Sequence, residues 1–196
     1  GMDQLGFIVE NDLIQSALFE AIDSSKITII NAKLDSLLKT DIGYIVTLDD
    51  ESNLSCNLVV GADGSQSKVR NLVAIEVTEH DYDQKAIIAN IVSEKPLENT
   101  TWQRFLSDSI IALLPLSENK ASIVWSCKSD LADELMKLDI DDFNQSLSEV
   151  VEYRFGKLLL ESKRKVFPLI ERSAKDYTLP NLALIGDAAH NIHPLA

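Results

Sequence analysis

Leu182-Ala183-Leu184-Ile185-Gly186-Asp187-Ala188-Ala189-His190-Asn191-Ile192-His193-Pro194-Leu195-Ala196 decides how this chain reads. Leu182 to Ile185 is a short, continuous apolar run closed by a turn signal, the pattern of a strand buried on both faces. Gly186 lets the backbone approach closely, Asp187 suits the N-cap of a following helix, and Ala188-Ala189-His190 are helix-compatible residues for its first turn. Free N–H groups at such a helix start favour an anionic or hydroxyl-rich ligand. The same grammar occurs earlier, in Leu58-Val-Val-Gly61-Ala-Asp63-Gly64-Ser-Gln-Ser67-Lys-Val-Arg70. That passage is again an apolar strand, a glycine-aspartate turn and a polar helix start.

Upstream, Asn11 is placed to cap a helix whose Leu13, Ile14, Ala17, Leu18, Ala21 and Ile22 fall on one face, expected to be core. Ile27 to Ile30, Leu34 to Leu38, Tyr44 to Leu48 and Leu54 to Val60 read as short strands. With Gly43 and the polar run Asp49–Asn53 as turns, they form an antiparallel meander leading to Gly61. After Arg70 a short helix ends near Ala74. Strands are then expected at Ala86–Val92, Thr101–Leu106, Ile110–Leu114 and Ala121–Cys127. A helix capped by Asp141 carries Phe143, Leu147, Val150 and Val151 on one side and closes at Gly156. Arg164–Leu169 is the strand that leads back towards Leu182. No repeat or low-complexity segment interrupts this order.

The 196 residues carry 18 basic and 31 acidic side chains, a formal charge of −13, which excludes a nucleic-acid binder and electrostatic attachment to anionic lipid. Any membrane contact would be apolar. No apolar run approaches the ~18–20 residues of a membrane span, and the first residues lack the basic and apolar regions of a signal peptide. Hydrophobic residues make up 45%, enough for a real core. Cys56 and Cys127 have no metal or redox spacing and read as buried free thiols in a reducing compartment.

Gly61-Ala62-Asp63-Gly64-x-x-Ser67-x-Val69-Arg70, followed by Gly186-Asp187-Ala188-Ala189-His190-x-x-x-Pro194, resembles the two later signatures of the flavin-dependent aromatic hydroxylases of the para-hydroxybenzoate hydroxylase type. Val9-Glu10-Asn11, Trp102-Gln103-Arg104-Phe105, Leu114-Pro115-Leu116 and Arg154-Phe155-Gly156 bring the likeness nearest to the ubiquinone-biosynthesis hydroxylases, over nearly the whole chain. The resemblance implies an α/β fold, α+β overall. Residues 1–75 and 164–196 would form part of a Rossmann-like FAD-binding domain, and 76–163 an inserted β-rich substrate domain. It implies FAD and NAD(P)H as cofactors and a phenolic, polyprenylated ubiquinone precursor as the small-molecule substrate. By that resemblance NAD(P)H would reduce the flavin, and one oxygen atom of O2 would pass to the phenol. The implied location is cytoplasmic, with an option of peripheral contact with the inner membrane.

By that resemblance the cofactor-binding residues are Asp63, Gly64, Arg70, Gly186, Asp187, Ala188 and Pro194. Asp187 would bond the ribityl chain of FAD, and Pro194 would pass the reactive edge of the flavin. The residues alone leave alternatives. Asp187 and Asp63 would each serve equally as a simple helix cap, and Arg70 could pair with Asp63, reach a phosphate or lie solvated. His190 and His193 lack a usual metal-ligand spacing, and no metal is expected. His193 is either an active-site neighbour or a plain loop residue, and His80 is expected at the surface. Trp102, Phe105, Trp125 and Phe167 are either pocket walls or core. The family's opening Gly-x-Gly-x-x-Gly turn is absent, since glycines stand only at 1, 6, 43, 61, 64, 156 and 186. The resemblance therefore implies the middle of a hydroxylase without its ends: inactive alone, holding FAD weakly, and self-associating through exposed edges at Leu58–Val60 and Leu182–Ile185. A non-catalytic assembly module, and a reductase or halogenase of the same fold, are the alternatives.

Overall fold

The computed structural model describes residues 6–191, so Pro194 and His193 lie outside the described residues. In chain order the elements are α1 (Asn11–Glu20), β1 (Leu34–Lys39), β2 (Tyr44–Leu48), β3 (Asn53–Cys56), β4 (Val59–Gly61), α2 (Lys68–Leu72), β5 (Val77–Ser93), β6 (Trp102–Phe105), β7 (Ser109–Pro115) and β8 (Lys120–Lys128). There follow α3 (Ser129–Lys137), α4 (Ile140–Val150), β9 (Leu158–Leu160), β10 (Lys165–Ala174), β11 (Thr178–Leu179), β12 (Leu182–Leu184), a three-residue 3-10 turn at Gly186–Ala188, and β13 (His190–Asn191). The fold is mixed α/β, as expected. The described residues divide into two compact units, one of residues 6–23 and 83–169, the other of residues 24–82 and 170–191.

In the first unit β9, β5, β8, β7 and β6 are neighbours, and every pairing is antiparallel. Strand alternation puts Ile87, Ile111, Ile123 and Trp125 on one face. There they bury against Ala132 and Leu135 of α3 and Phe143 and Leu147 of α4. Asp139 caps α4 by accepting from the Asp142 amide at 2.9 Å, so the cap lies two residues before the expected Asp141. Arg164 lies over the Phe143 ring at 4.6 Å and donates to the carbonyls of Leu135 and Leu138, tying the α3–α4 turn down.

The second unit holds the antiparallel meander β1–β2–β3 and a small sheet in the order β11–β12–β4. β12 runs antiparallel to β11 and parallel to β4, with Leu182, Ala183 and Leu184 opposite Val59, Val60 and Gly61. Tyr44, Val69, Ile75, Leu182, Leu184, Ala188 and Ala189 form the core beneath it.

Five expectations are corrected. α1 forms, but it buries no residue, and Leu13 and Leu18 are 61% and 64% exposed. Helical spacing shows that a helix has an apolar side, not that something covers it. Its N-cap is Glu10 rather than Asn11, with no side-chain cap. Ile27–Ile30 is not a strand; β-branched residues favour extended backbone, but without a ladder partner they make no sheet. Leu54–Val60 splits into β3 and β4. Of the two expected edges only β4 is one, because β12 has a strand on each side.

Candidate functional site

Both glycine-aspartate turns follow the carboxyl ends of the parallel pair β4 and β12, as expected, so they share one sheet edge. The ladder runs into the turns, since the Ile185 amide donates to the Gly61 carbonyl at 2.9 Å. Gly61 is there for space. A Cβ on it would lie 2.8 Å from Leu184 Cδ2 and 3.0 Å from Val69 Cγ1, so glycine lets strand, strand and helix close up. Gly186 is there for conformation instead. Its φ of +56° is left-handed, and an added Cβ would meet nothing within 4 Å, so the expected close approach gives way to a backbone requirement. Gly64, with φ of +81°, turns the first loop in the same way.

The two aspartates face different ways chemically. Asp63 is turned onto its own loop: one oxygen accepts from the Ser67 hydroxyl at 2.5 Å, the other from the Val69 amide at 3.0 Å. The Ser67 oxygen accepts in turn from the Arg70 amide at 3.0 Å, capping α2. Burial pushes the Asp63 carboxyl up, but the Ser67 hydroxyl and the Val69 and Lys68 amides together outweigh it, and it titrates below its ordinary value. Asp187 stands exposed inside the 3-10 turn, and no group among the described residues is hydrogen-bonded to its carboxylate. The helix that Asp187 was expected to cap is only that turn, closed by the Ala189 amide on the Gly186 carbonyl at 2.9 Å. So short a turn carries little helix dipole.

Arg70 neither pairs with Asp63 nor lies solvated. It is only 5% exposed, and its terminal nitrogens donate to two carbonyls: Nη1 to Ala188 at 2.9 Å and Nη2 to Ser65 at 2.8 Å. Its Nε is buried with no partner. Ala188 is fully buried and joins the site through that carbonyl. No local pattern signals this contact, because its ends are 118 residues apart.

His190 is exposed and stacks on the Tyr177 ring at 5.6 Å, with the Tyr177 hydroxyl 3.2 Å from Ser173 Oγ; sequence reasoning missed Tyr177. His80 is at the surface, edge-on to Tyr82. Of the aromatic residues, Trp125 is core, Trp102 packs on Phe155, and Phe105 and Phe167 are 69% and 48% exposed. Both cysteines are free. Burial, with Asp108 and Asp133 nearby, pushes the Cys127 thiol up to about 11. Among the described residues no helix is long and apolar enough to cross a membrane.

A family model described as FAD binding domain matches residues 39–196. The chain is 32% identical to the mitochondrial ubiquinone biosynthesis monooxygenase COQ6 of Homo sapiens, across 100% of the chain and 51% of that protein. It is 34% identical to the 3-demethoxyubiquinol 3-hydroxylase of Escherichia coli, across 98% of the chain and 49% of that protein. The chain thus spans about half the length of the curated relatives it matches. Among solved structures, the flavin-dependent halogenase CmlS superposes with a TM-score of 0.78 over 95% of this chain and 36% of its own, at 16% identity. A mutant of PqsL from P. aeruginosa superposes with a TM-score of 0.75 over 93% of this chain and 53% of its own, at 22% identity. At these identities the superpositions speak for the fold, and the family match speaks for descent: the chain belongs to the FAD binding domain family.

Proposed function

We propose that the paired turns hold the ribityl side of FAD within a monooxygenase that hydroxylates a phenolic, polyprenylated ubiquinone precursor at the expense of NAD(P)H. The observation that carries the reading is the contrast between the aspartates. At one sheet edge Asp63 is consumed by its own loop, while Asp187 presents a carboxylate that nothing in the described chain uses. A carboxylate only accepts hydrogen bonds, which suits the hydroxyls of a ribityl chain and repels a phosphate. The open space over Gly186 leaves room for a ligand to approach the backbone. Those features fit the cofactor.

When bound and reduced, FAD supplies the activation of oxygen; the chain supplies position. Asp187 orients hydroxyls, Gly186 and Gly64 give the loops their turn, and Asp63 with Ser67 holds the first loop rigid. Pro194 keeps its proposed place beside the flavin edge. These residues include no Gly-x-Gly-x-x-Gly cradle, so the 196-residue chain by itself is proposed to hold FAD weakly and not to turn over. The names of the relatives support the ubiquinone precursor as substrate, and an apolar, peripheral membrane contact would suit its prenyl tail. Self-association is assigned to the free edge of β4, where Leu58 and Val60 are 57% and 48% exposed.

The test is flavin titration of the chain joined to the remainder of its protein, with NAD(P)H consumption followed with and without a phenol. Asp187→Ala is expected to weaken FAD binding at least tenfold, since a hydrogen bond to a charged group contributes ~1.5–3 kcal/mol. Unchanged flavin content in that variant would defeat the assignment, and phenol-independent turnover without hydroxylated product would point to a reductase.

A further inference from the structure

We propose that Arg70 is a positioning residue, a clamp that sets the Gly186–Ala188 turn relative to the Asp63–Ser67 loop, rather than a group that touches a phosphate. Its role for flavin rests on the reading of Asp187 given above; its role in the chain rests on geometry alone. At 5% exposure the guanidinium has both terminal nitrogens committed, one to the carbonyl that follows Asp187 and one to the carbonyl that follows Gly64. Two of its five N–H groups are taken by these carbonyls, and at that burial the remainder do not face solvent.

A buried guanidinium facing only carbonyl dipoles is an expensive way to fill space, and an apolar side chain of similar volume would cost less. What such a side chain could not do is span two loops. The planar fork of arginine delivers two hydrogen bonds in fixed relative directions, whereas the lysine ammonium is a point charge on a flexible stem. The loops have few other ties at this level. The parallel ladder ends with the Ile185 amide on the Gly61 carbonyl; beyond it the second turn has its own bond from the Ala189 amide to the Gly186 carbonyl, and on its far side the Ala174 amide donates to the Ala189 carbonyl at 2.7 Å, where β13 pairs with β10. Those bonds hold the turn to itself and to β10; the tie that links it to the Asp63–Ser67 loop is Arg70, through Ala188 on one side and Ser65 on the other. The unpartnered Nε agrees with this, because the group is placed for the two carbonyls at the expense of its third donor site.

The test begins with amide hydrogen exchange on the 196-residue chain, comparing wild type, Arg70→Lys and Arg70→Met. Both variants are expected to speed exchange at Ala189 about tenfold or more, while amides of the β1–β3 meander keep wild-type protection. Wild-type protection at Ala189 in Arg70→Lys would overturn the clamp, and so would a loss spread evenly over the meander, which would mark general destabilisation. If Arg70→Met fails to fold, Arg70→Lys carries the comparison. The second arm titrates FAD into Arg70→Lys, Asp187→Ala and the double variant of the chain joined to the remainder of its protein. Action through the turn predicts that the double variant binds no more weakly than Asp187→Ala, and additive losses would refute it. Wild-type protein that takes up no FAD would sink the flavin reading, while the exchange data still decide the clamp.

Discussion

Replacing Asp63 by asparagine keeps shape and volume but removes the charge and one acceptor, so it isolates what the first turn draws from its carboxylate. The acid accepts from the Ser67 hydroxyl at 2.5 Å and from the Val69 amide at 3.0 Å, and Val69 is only 6% exposed, so water does not readily replace the second bond. Whichever way the asparagine amide turns, it offers one oxygen and one NH2 to these partners. If the oxygen faces Val69, two charge-assisted bonds become neutral ones; if it faces Ser67, the Val69 amide is left unsatisfied. With a charge-assisted bond at ~1.5–3 kcal/mol, a neutral one at ~0.5–1.5 and an orphaned donor costing ~1–3, either route costs about 2 kcal/mol.

Urea unfolding at neutral pH, followed by far-ultraviolet circular dichroism, measures this loss. A pH series adds an independent sign. The Asp63 carboxyl titrates below its ordinary value in the folded chain. Its contribution is therefore fully present above the unfolded pKa of ~3.9 and is lost as pH falls through the lower folded value. Wild type should lose more stability than Asp63→Asn over that acid window, so the two curves converge. Equal stability at neutral pH within about 0.5 kcal/mol, with parallel acid limbs, would refute the view that Asp63 is spent on its own loop.

Phe143→Ala removes a fully buried ring that touches Trp125 and lies beneath Arg164, and should cost ~3–5 kcal/mol in urea unfolding; a loss below about 1.5 would show that the first unit is not centred there. Val60→Lys puts a charge on the free edge of β4 and is expected to shift the chain towards monomer in size-exclusion chromatography with light scattering; an unchanged elution would remove that edge from the self-association.

The parts of the fold that were legible were those whose cause is local. Gly61, Asp63, Gly186 and Asp187 announce strand-turn boundaries within a few residues of themselves, and the shared sheet edge followed from the rule that ligand loops gather at the carboxyl ends of parallel strands. What depends on distant partners was not legible. Arg70 reads identically whether solvated or buried, because Ala188 is far along the chain. The apolar side of α1 and the run Ile27–Ile30 have sound local propensities and no partner in the described chain. α3 went unnoticed because its N-cap, Lys128, makes no side-chain cap, and α4 was placed two residues late because Asp139 and Asp141 both look like caps. That Asp63 is taken up and Asp187 is not could be guessed from the Ser67 that follows one and not the other, but only the hydrogen bonds show it.

The parallel pairing of β4 with β12 also bears on how the chain folds. Closing a loop of this length in an unfolded chain costs about 4 kcal/mol in configurational entropy, taking the 118 residues between Arg70 and Ala188 as its span. The hairpins of β6, β7 and β8 close over a few residues each and carry no such barrier. The order of events is then set: local hairpins form first and shorten the effective loop, and the two turns meet last. During synthesis the earlier turn waits until residues 182–188 have been made, and the Asp187 carboxylate reaches its place only on a chain whose intervening strands have already condensed.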